Sequence, residues 1–462
     1  MSNSKWLPGS KRNLDMTEGN IGRLLITFSV PLLLGNVFQQ LYNMVDAWVV
    51  GNFVSNEAFS AVGTVGPILN TLISLFLGLS SGAGVVISQN YGAKREEAAS
   101  KAIHTAIVMT FIIAIFLTTA GILLRDVFLR MMNTPENVIP EARLYLLILF
   151  AGMAGMMFYN IGAAALQALG DSTRPFYFLT TATVINIVGD LVLVLVFHRG
   201  VEGVAIATVT AMTTSAVLVM ITLFRTETCL RLSLRKMRID TGSMKQIIRI
   251  GIPAALQMGI ISFSNIIVQG YINYFGADVM SGWTAYTKID ALMLLPMQSL
   301  ALATTTFVGQ NIGFGRVQRA RDGVREATRI SVAITFALSI PVMVFAPALV
   351  GFFNSKPEVV AFGTQILRWM TPFYVITCAA NVTNSGLRGA GDSKAPMLIT
   401  IFSYVVFRQI YLASVTHFMP DNLIIVCLGY PFGWILCTII SSIYFRRTNL
   451  GGQSVTGVGT KS

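Results

Sequence analysis

The chain has 462 residues, of which 54% are hydrophobic and only 12% charged, against roughly 25% charged in ordinary soluble domains. That composition excludes a water-soluble globular protein and describes one that lives in a bilayer. A formal charge of +12 would suit nucleic acid only if the basic residues formed a binding face, so their placement along the chain decides the matter.

The first 23 residues are polar and carry Lys5, Lys11, Arg12 and Arg23. They lack the short apolar core and small-residue cleavage site of a signal peptide, so the first apolar stretch is expected to be retained. A helix needs about 20 apolar residues to cross the hydrocarbon. Such windows predict twelve spans, at 24–50, 59–87, 102–124, 144–168, 175–197, 203–224, 251–273, 284–308, 330–352, 369–387, 396–416 and 422–445. The predicted fold is therefore an all-α integral membrane protein. Its expected organisation is a cytoplasmic segment 1–23, an N-lobe 24–224, a basic cytoplasmic linker 225–250, a C-lobe 251–445 and a cytoplasmic tail 446–462.

With the N-terminus in the cytoplasm, that side collects Arg23, Lys94, Arg95, Lys101, Arg174, the linker cations from Arg225 to Arg249, the run Arg316 to Arg329, Arg388, Lys394, Arg446, Arg447 and Lys461. The other side carries only Arg125, Arg130, Arg143, Arg199, Lys356 and Arg368. Basic loops mark the cytoplasmic face, so both termini are expected there, in the cell membrane. The charge is an orientation signal with attraction for anionic lipid, and nucleic acid is not needed as a partner. Cys229, Cys378, Cys427 and Cys437 show no metal-ligand spacing and read as apolar filler.

On the first span Asn36, Gln39, Asn43 and Asp46 recur along one helical stripe, and Asp46 is the only formal charge between Leu24 and Asn56. The fifth span repeats the pattern with Thr183, Asn186 and Asp190. An ionised acid at the bilayer centre costs roughly 2.5 to 3.5 kcal/mol on insertion, so such acids sit in cavities, paired or cation-bound. Two carboxylates sharing a site resist ionising together and would hold H+ or Na+. On the eighth span Lys288 and Asp290 are two apart and point to different sides; cavity lining and a buried pairing with Arg408 of the eleventh span are both open. Pro31 and Pro253 are expected in the first turns of their spans, where proline is tolerated.

The chain also repeats itself. "GDSTRP" from Gly170 returns as "GDSKAP" from Gly391, and "SQNYG" from Ser88 returns as "GQNIG" from Gly309 at the same offset, which Asn160 and Asn381 share. Six spans have been duplicated. Because each half has an even number of spans, both enter from the same side, the parallel-repeat arrangement of some transporters. The "GDS" stretches are expected as helix connections, with Gly ending one helix and Asp or Ser capping the next. Gln89 and Gln310 are expected to join helix ends. Applying the offset, Asp46 maps to Ile267 or Val268, Asn186 to Phe407 and Asp190 to Tyr411, so the acidic cluster has no copy in the second half.

"SVPLLLGNVFQQLYNMVDAWVVGN" from Ser29, "VISQNYGA" from Val86, "ALQALGDSTRP" from Ala165 and "GLRGAGDSKAPM" from Gly386 resemble the multidrug and toxic compound extrusion (MATE) transporters over about the whole chain. The resemblance implies twelve helices in two pseudo-symmetric six-helix lobes around a central cleft, with drug efflux by alternating access in exchange for H+ or Na+. In the DinF-like branch, positions matching Asp46, Asn160, Asn186, Asp190 and Thr208 form the cation-coupling cluster. The NorM-like branch carries acids on its seventh and tenth helices; here 251–273 and 369–387 contain neither Asp nor Glu, which argues against a second-lobe sodium site.

The expected function is a cation-coupled antiporter, with H+ favoured over Na+, that exports amphipathic, cationic organic compounds. Asp46 and Asp190 form its ion site, which is also the candidate site for Na+. Gln39, Tyr42, Asn43, Met157, Lys288, Asp290 and Arg408 are candidate cleft residues. No cofactor beyond the coupling ion is expected; the partners are a small organic substrate and membrane lipid, and a monomer suffices. A lipid-linked oligosaccharide flippase of the same superfamily is the alternative, although a pyrophosphate cargo would call for more cleft cations than Lys288 and Arg408. An intramembrane enzyme lacks its constellation: there is no HExxH or GxSxG, and the three histidines stand apart.

Overall fold

A computed structural model describes residues 14–132, 134–419 and 422–457. The placements expected of Lys5, Lys11, Arg12 and Lys461 concern positions outside the described residues. Within them the chain is helical almost throughout. The first half runs α1 Ile21–Phe53, α2 Asn56–Gly92, α3 Glu96–Met131, α4 Ile139–Ala168, α5 Thr173–Leu191 and α6 Val201–Arg225. It continues through α7 Thr241–Asn273, α8 Ala277–Phe314, α9 Val317–Val344, α10 Ala346–Phe353, α11 Pro357–Met370 and α12 Tyr374–Gly389. The last helices are α13 Lys394–Ile401, α14 Arg408–Phe418, α15 Leu423–Cys427 and α16 Gly429–Arg447.

Among the described residues eleven stretches are long and apolar enough to cross a bilayer. The expected span 369–387 is the exception. It is divided by a 3-10 turn at Thr371–Phe373, so α11 and α12 meet end to end. Pro372 sits inside that turn, where it has no N–H to continue a helical ladder. Several helices outrun the apolar windows that revealed them: α3 begins at Glu96 and α8 at Ala277, because hydropathy marks only the part of a helix that lies in hydrocarbon.

Two compact units result. One contains Val30–Ile252; the other contains Met16–Ser29 and the chain from Pro253 onward. The basic linker therefore packs with the first half, as Leu14 and Asp15 do, while Met16–Ser29 pack with the second. Both divisions fall inside continuous helices, next to Pro31 in α1 and at Pro253 in α7. This corrects the expectation that the two prolines occupy first turns. Each lies whole turns inside its helix, where the missing N–H leaves one carbonyl of the preceding turn without its usual partner.

The "GDS" stretches behave as predicted. Gly170 and Gly391 take positive φ values of 88° and 96°, the left-handed region open to glycine that ends a helix. Asp171 Oδ1 then accepts the N–H groups of Thr173 and Arg174, each at 3.1 Å, and Asp392 Oδ1 accepts that of Ala395 at 3.1 Å. Gln310 joins chain segments rather than helix ends: its Oε1 accepts the Met16 N–H at 3.1 Å, and Asn311 donates to the Met16 carbonyl at 2.9 Å.

The apolar surface suits lipid. On α3, Phe116 is 67% and Leu123 74% exposed, a pattern that water would penalise and hydrocarbon does not. All four cysteines are free. Burial, with Glu96 nearby, pushes the Cys229 thiol up to about 11, so it stays protonated and unreactive at neutral pH.

Candidate functional site

The predicted stripe on α5 is its buried face: Thr183, Asn186 and Asp190 are all enclosed. Helix α6 approaches closely because a Cβ on Gly189 would come within 3.0 Å of the Ala207 Cβ, and small residues at such contacts let helix backbones close up. That approach sets Thr208 of α6 beside the stripe. Asn186 Nδ2 donates to Thr208 Oγ1, which donates to Asp46 Oδ2, both at a long 3.4 Å. The carboxyls of Asp46 and Asp190 lie within hydrogen-bonding reach of each other. Four of the five residues expected in the coupling cluster are thereby brought together.

The cluster is short of donors. Asp46 Oδ1, both Asp190 oxygens, Asn186 Oδ1 and Thr183 Oγ1 are buried with no hydrogen-bond partner. Two facing carboxylates cannot bond each other, since neither has a proton to give. Unsatisfied buried acceptors are rare in folded proteins, and a group of them marks a place for a proton, a water or an ion. No Lys or Arg forms an ion pair with either acid among the described residues. A small cation placed here would meet several oxygens at once.

Asn160 is the fifth expected member, and its amide donates to the Met156 carbonyl of its own helix at 2.8 Å instead of reaching the acids. Tyr145 of α4 was not anticipated. It is buried within electrostatic range of Asp46, Asp190 and Tyr42, and a tyrosine among apolar residues gives no periodic signal to mark it. Tyr42 is buried near Asp46 and Gln39. Asn43 is exposed and donates to Gln40 at 3.2 Å. Met157 is fully buried in this conformation.

In the second half, Asp290 and Arg408 are not paired, which removes one of the two openings left by the sequence. Asp290 accepts from the Tyr374 hydroxyl, and the Tyr374 and Tyr286 hydroxyls are 3.1 Å apart. These tyrosines belong to the aromatic core around Trp283 and Trp434, so Asp290 is a satisfied acid anchored in packing. Lys288 is exposed and forms no ion pair among the described residues. Arg408 is buried, and its Nη2 donates to Ser264 Oγ at 2.6 Å and Asn265 Oδ1 at 2.9 Å. The ring of Tyr430 stands 4.5 Å from its guanidinium carbon.

One feature of both halves lies outside sequence periodicity. A π-helical turn, Val192–Val196, begins two residues after Asp190, and another, Phe402–Phe407, ends immediately before Arg408. Such turns widen a helix locally and occur often at functional sites.

The chain matches known proteins in a way that respects this doubling. The family profile described as MatE fits residues 31–192 and again 253–412. A protein of Bacillus subtilis named "Probable multidrug resistance protein YpnP" is 28% identical over 432 residues, 94% of this chain and 96% of that one. A protein of Shewanella oneidensis named "FAD transporter" is 24% identical over 366 residues, covering 77% of this chain and 78% of that one. The solved structure described as the outward-facing conformation of a multidrug resistance MATE family transporter of the MOP superfamily has a TM-score of 0.89 at 25% identity, over 94% of this chain and 97% of that one.

Proposed function

The chain belongs to the MatE family of membrane transporters, and from that premise we propose that it is a proton-coupled antiporter exporting amphipathic organic compounds by alternating access. It is a multi-pass membrane protein and a transporter, not an enzyme. The observation that carries the coupling reading is the set of donor-poor oxygens around Asp46 and Asp190. Taking up one proton turns a carboxylate into a donor, so the two acids share a hydrogen bond where they had none. Giving it up restores two facing anions in a low-dielectric site, an arrangement that favours a different conformation. An ion that binds two conformations unequally shifts their balance, and coupling requires nothing more.

The name of the Bacillus relative supports drug-like cargo, and the flavin carrier widens that range; within it, amphipathic organic cations are the cargo of this reading. Orientation follows the basic loops, with both termini on the cytoplasmic side of the cell membrane, and the monomer is the working unit. The test uses purified protein in vesicles loaded with a fluorescent organic cation and challenged with a pH step or a sodium step. The proton reading predicts dye movement after the pH step only. Movement after the sodium step alone would transfer the same site to Na+, and response to neither would favour the flippase reading. Asp46→Asn should abolish gradient-driven movement while leaving a folded protein, as judged by its elution profile and unfolding temperature.

A further inference from the structure

We propose that the cluster around Arg408 binds an anionic group, a carboxylate or phosphate, of the exported compound. The inference rests on the antiporter reading above and adds the chemistry of its cargo. Arg408 lies inside the span Lys394–Phe418 and is 3% exposed, a position where a cation costs several kcal/mol unless something compensates it. No carboxylate does so: Arg408 forms no ion pair among the described residues. Its protein partners are neutral, namely the Ser264 hydroxyl, the Asn265 amide oxygen and the Tyr430 ring. Its Nε is buried with no partner at all.

Neighbouring groups hold the guanidinium in place. Ser264 Oγ also accepts from Gln409 Nε2 at 3.0 Å and donates to the Tyr404 carbonyl at 3.2 Å, within the π-helical turn that precedes Arg408. Asn265 Oδ1 accepts from Arg408 and, at 3.5 Å, from the Tyr430 hydroxyl. Asn265 itself is exposed, so the fixed cation borders a surface that a ligand can reach. Both Nη2 hydrogens are taken by neutral acceptors, and the unpartnered Nε leaves one charged N–H for a carboxylate or phosphate oxygen. Asp290, the acid inside the eighth helix, is held by the Tyr374 hydroxyl and not by Arg408.

The test is equilibrium binding to purified protein in lipid nanodiscs, with rhodamine B and its ethyl ester as probes. The two dyes share a cationic ring system and differ only in a free carboxylate. Wild type should bind the acid about tenfold more tightly than the ester, in line with one charged hydrogen bond left unmade. Arg408→Gln should erase that preference while leaving ester affinity within about twofold, and Arg408→Lys should keep only part of it. Equal affinity of wild type for the two dyes, or no binding of either, overturns the proposal without requiring any variant to fold. So does displacement of neither dye by dioctanoyl phosphatidic acid combined with loss of both affinities in Arg408→Gln, which marks a purely structural arginine. Competition by that lipid without any preference for the acid dye assigns the site to membrane phosphate and overturns the cargo assignment. Because binding needs no ion gradient, failure of the coupling reading would leave this result unchanged.

Discussion

In the first half α1 and α5 meet over Asp46 and Asp190, with no cation paired to either; in the second half the helices at matching repeat positions, α7 and α14, meet over Arg408, with no acid paired to it. A π-helical turn adjoins the charged residue in each half. The halves share a scaffold but not its charges: Asp190 maps to Tyr411 and Asp46 to Ile267 or Val268, so Arg408 stands at a position that repeats neither acid. One contact is a set of oxygens short of donors, whereas the other is a cation with neutral partners and one unpartnered donor. Residues shared by the halves, such as the "GDS" turns, show what the scaffold alone requires.

The largest expected effect comes from removing the sign of the first site. Asp190→Asn, like Asp46→Asn, should reduce gradient-driven efflux to background. Because the new amide supplies donors to orphaned oxygens, it should also leave stability unchanged or raise it by about 1 kcal/mol; a marked fall in unfolding temperature would mean that the acids are structural. Thr208→Val should cost less. Its two hydrogen bonds are long at 3.4 Å, so their loss corresponds to about 0.5 to 1.5 kcal/mol and a drop in efflux of no more than about tenfold. The smallest effect on efflux is expected where the halves agree: Asp171→Ala loses a cap and the Arg174 partner and Asp392→Ala a cap and the Tyr444 hydroxyl, so each should lower stability by about 2 kcal/mol with an unchanged ratio of ions to substrate. A change in that ratio for either variant would give the turns a part in coupling.

Much of this contrast was legible in the sequence, and for a physical reason. A lone charge in an apolar span is conspicuous because of its insertion cost, so Asp46, Asp190 and Arg408 were all visible, and three-and-four spacing put Thr183, Asn186 and Asp190 on one face. Partners from distant segments were less visible. Ser264 and Asn265 are ordinary polar residues until Arg408 is placed against them, and Tyr145 becomes notable only beside the acids. Asn160 shares its place in the repeat with Asn381, yet the Asn160 amide is spent on its own helix and that of Asn381 on its own helix and the Met297 sulfur of α8. Apolar windows also mislocated Pro31 and Pro253, because the polar first turns of α1 and α7 are invisible to hydropathy. They missed the break at Thr371–Phe373 for the complementary reason: the turn is itself apolar in composition, and hydropathy does not register a change of helix type.

The coupling role of the acid pair is tested most directly by concentrative transport in vesicles that carry a pH gradient, comparing wild type, Asp46→Asn and Asp190→Asn. Wild type should move dye against its concentration gradient, whereas each variant should carry dye only down it until the two sides equalise. Uphill movement by either variant at the wild-type rate would contradict the account.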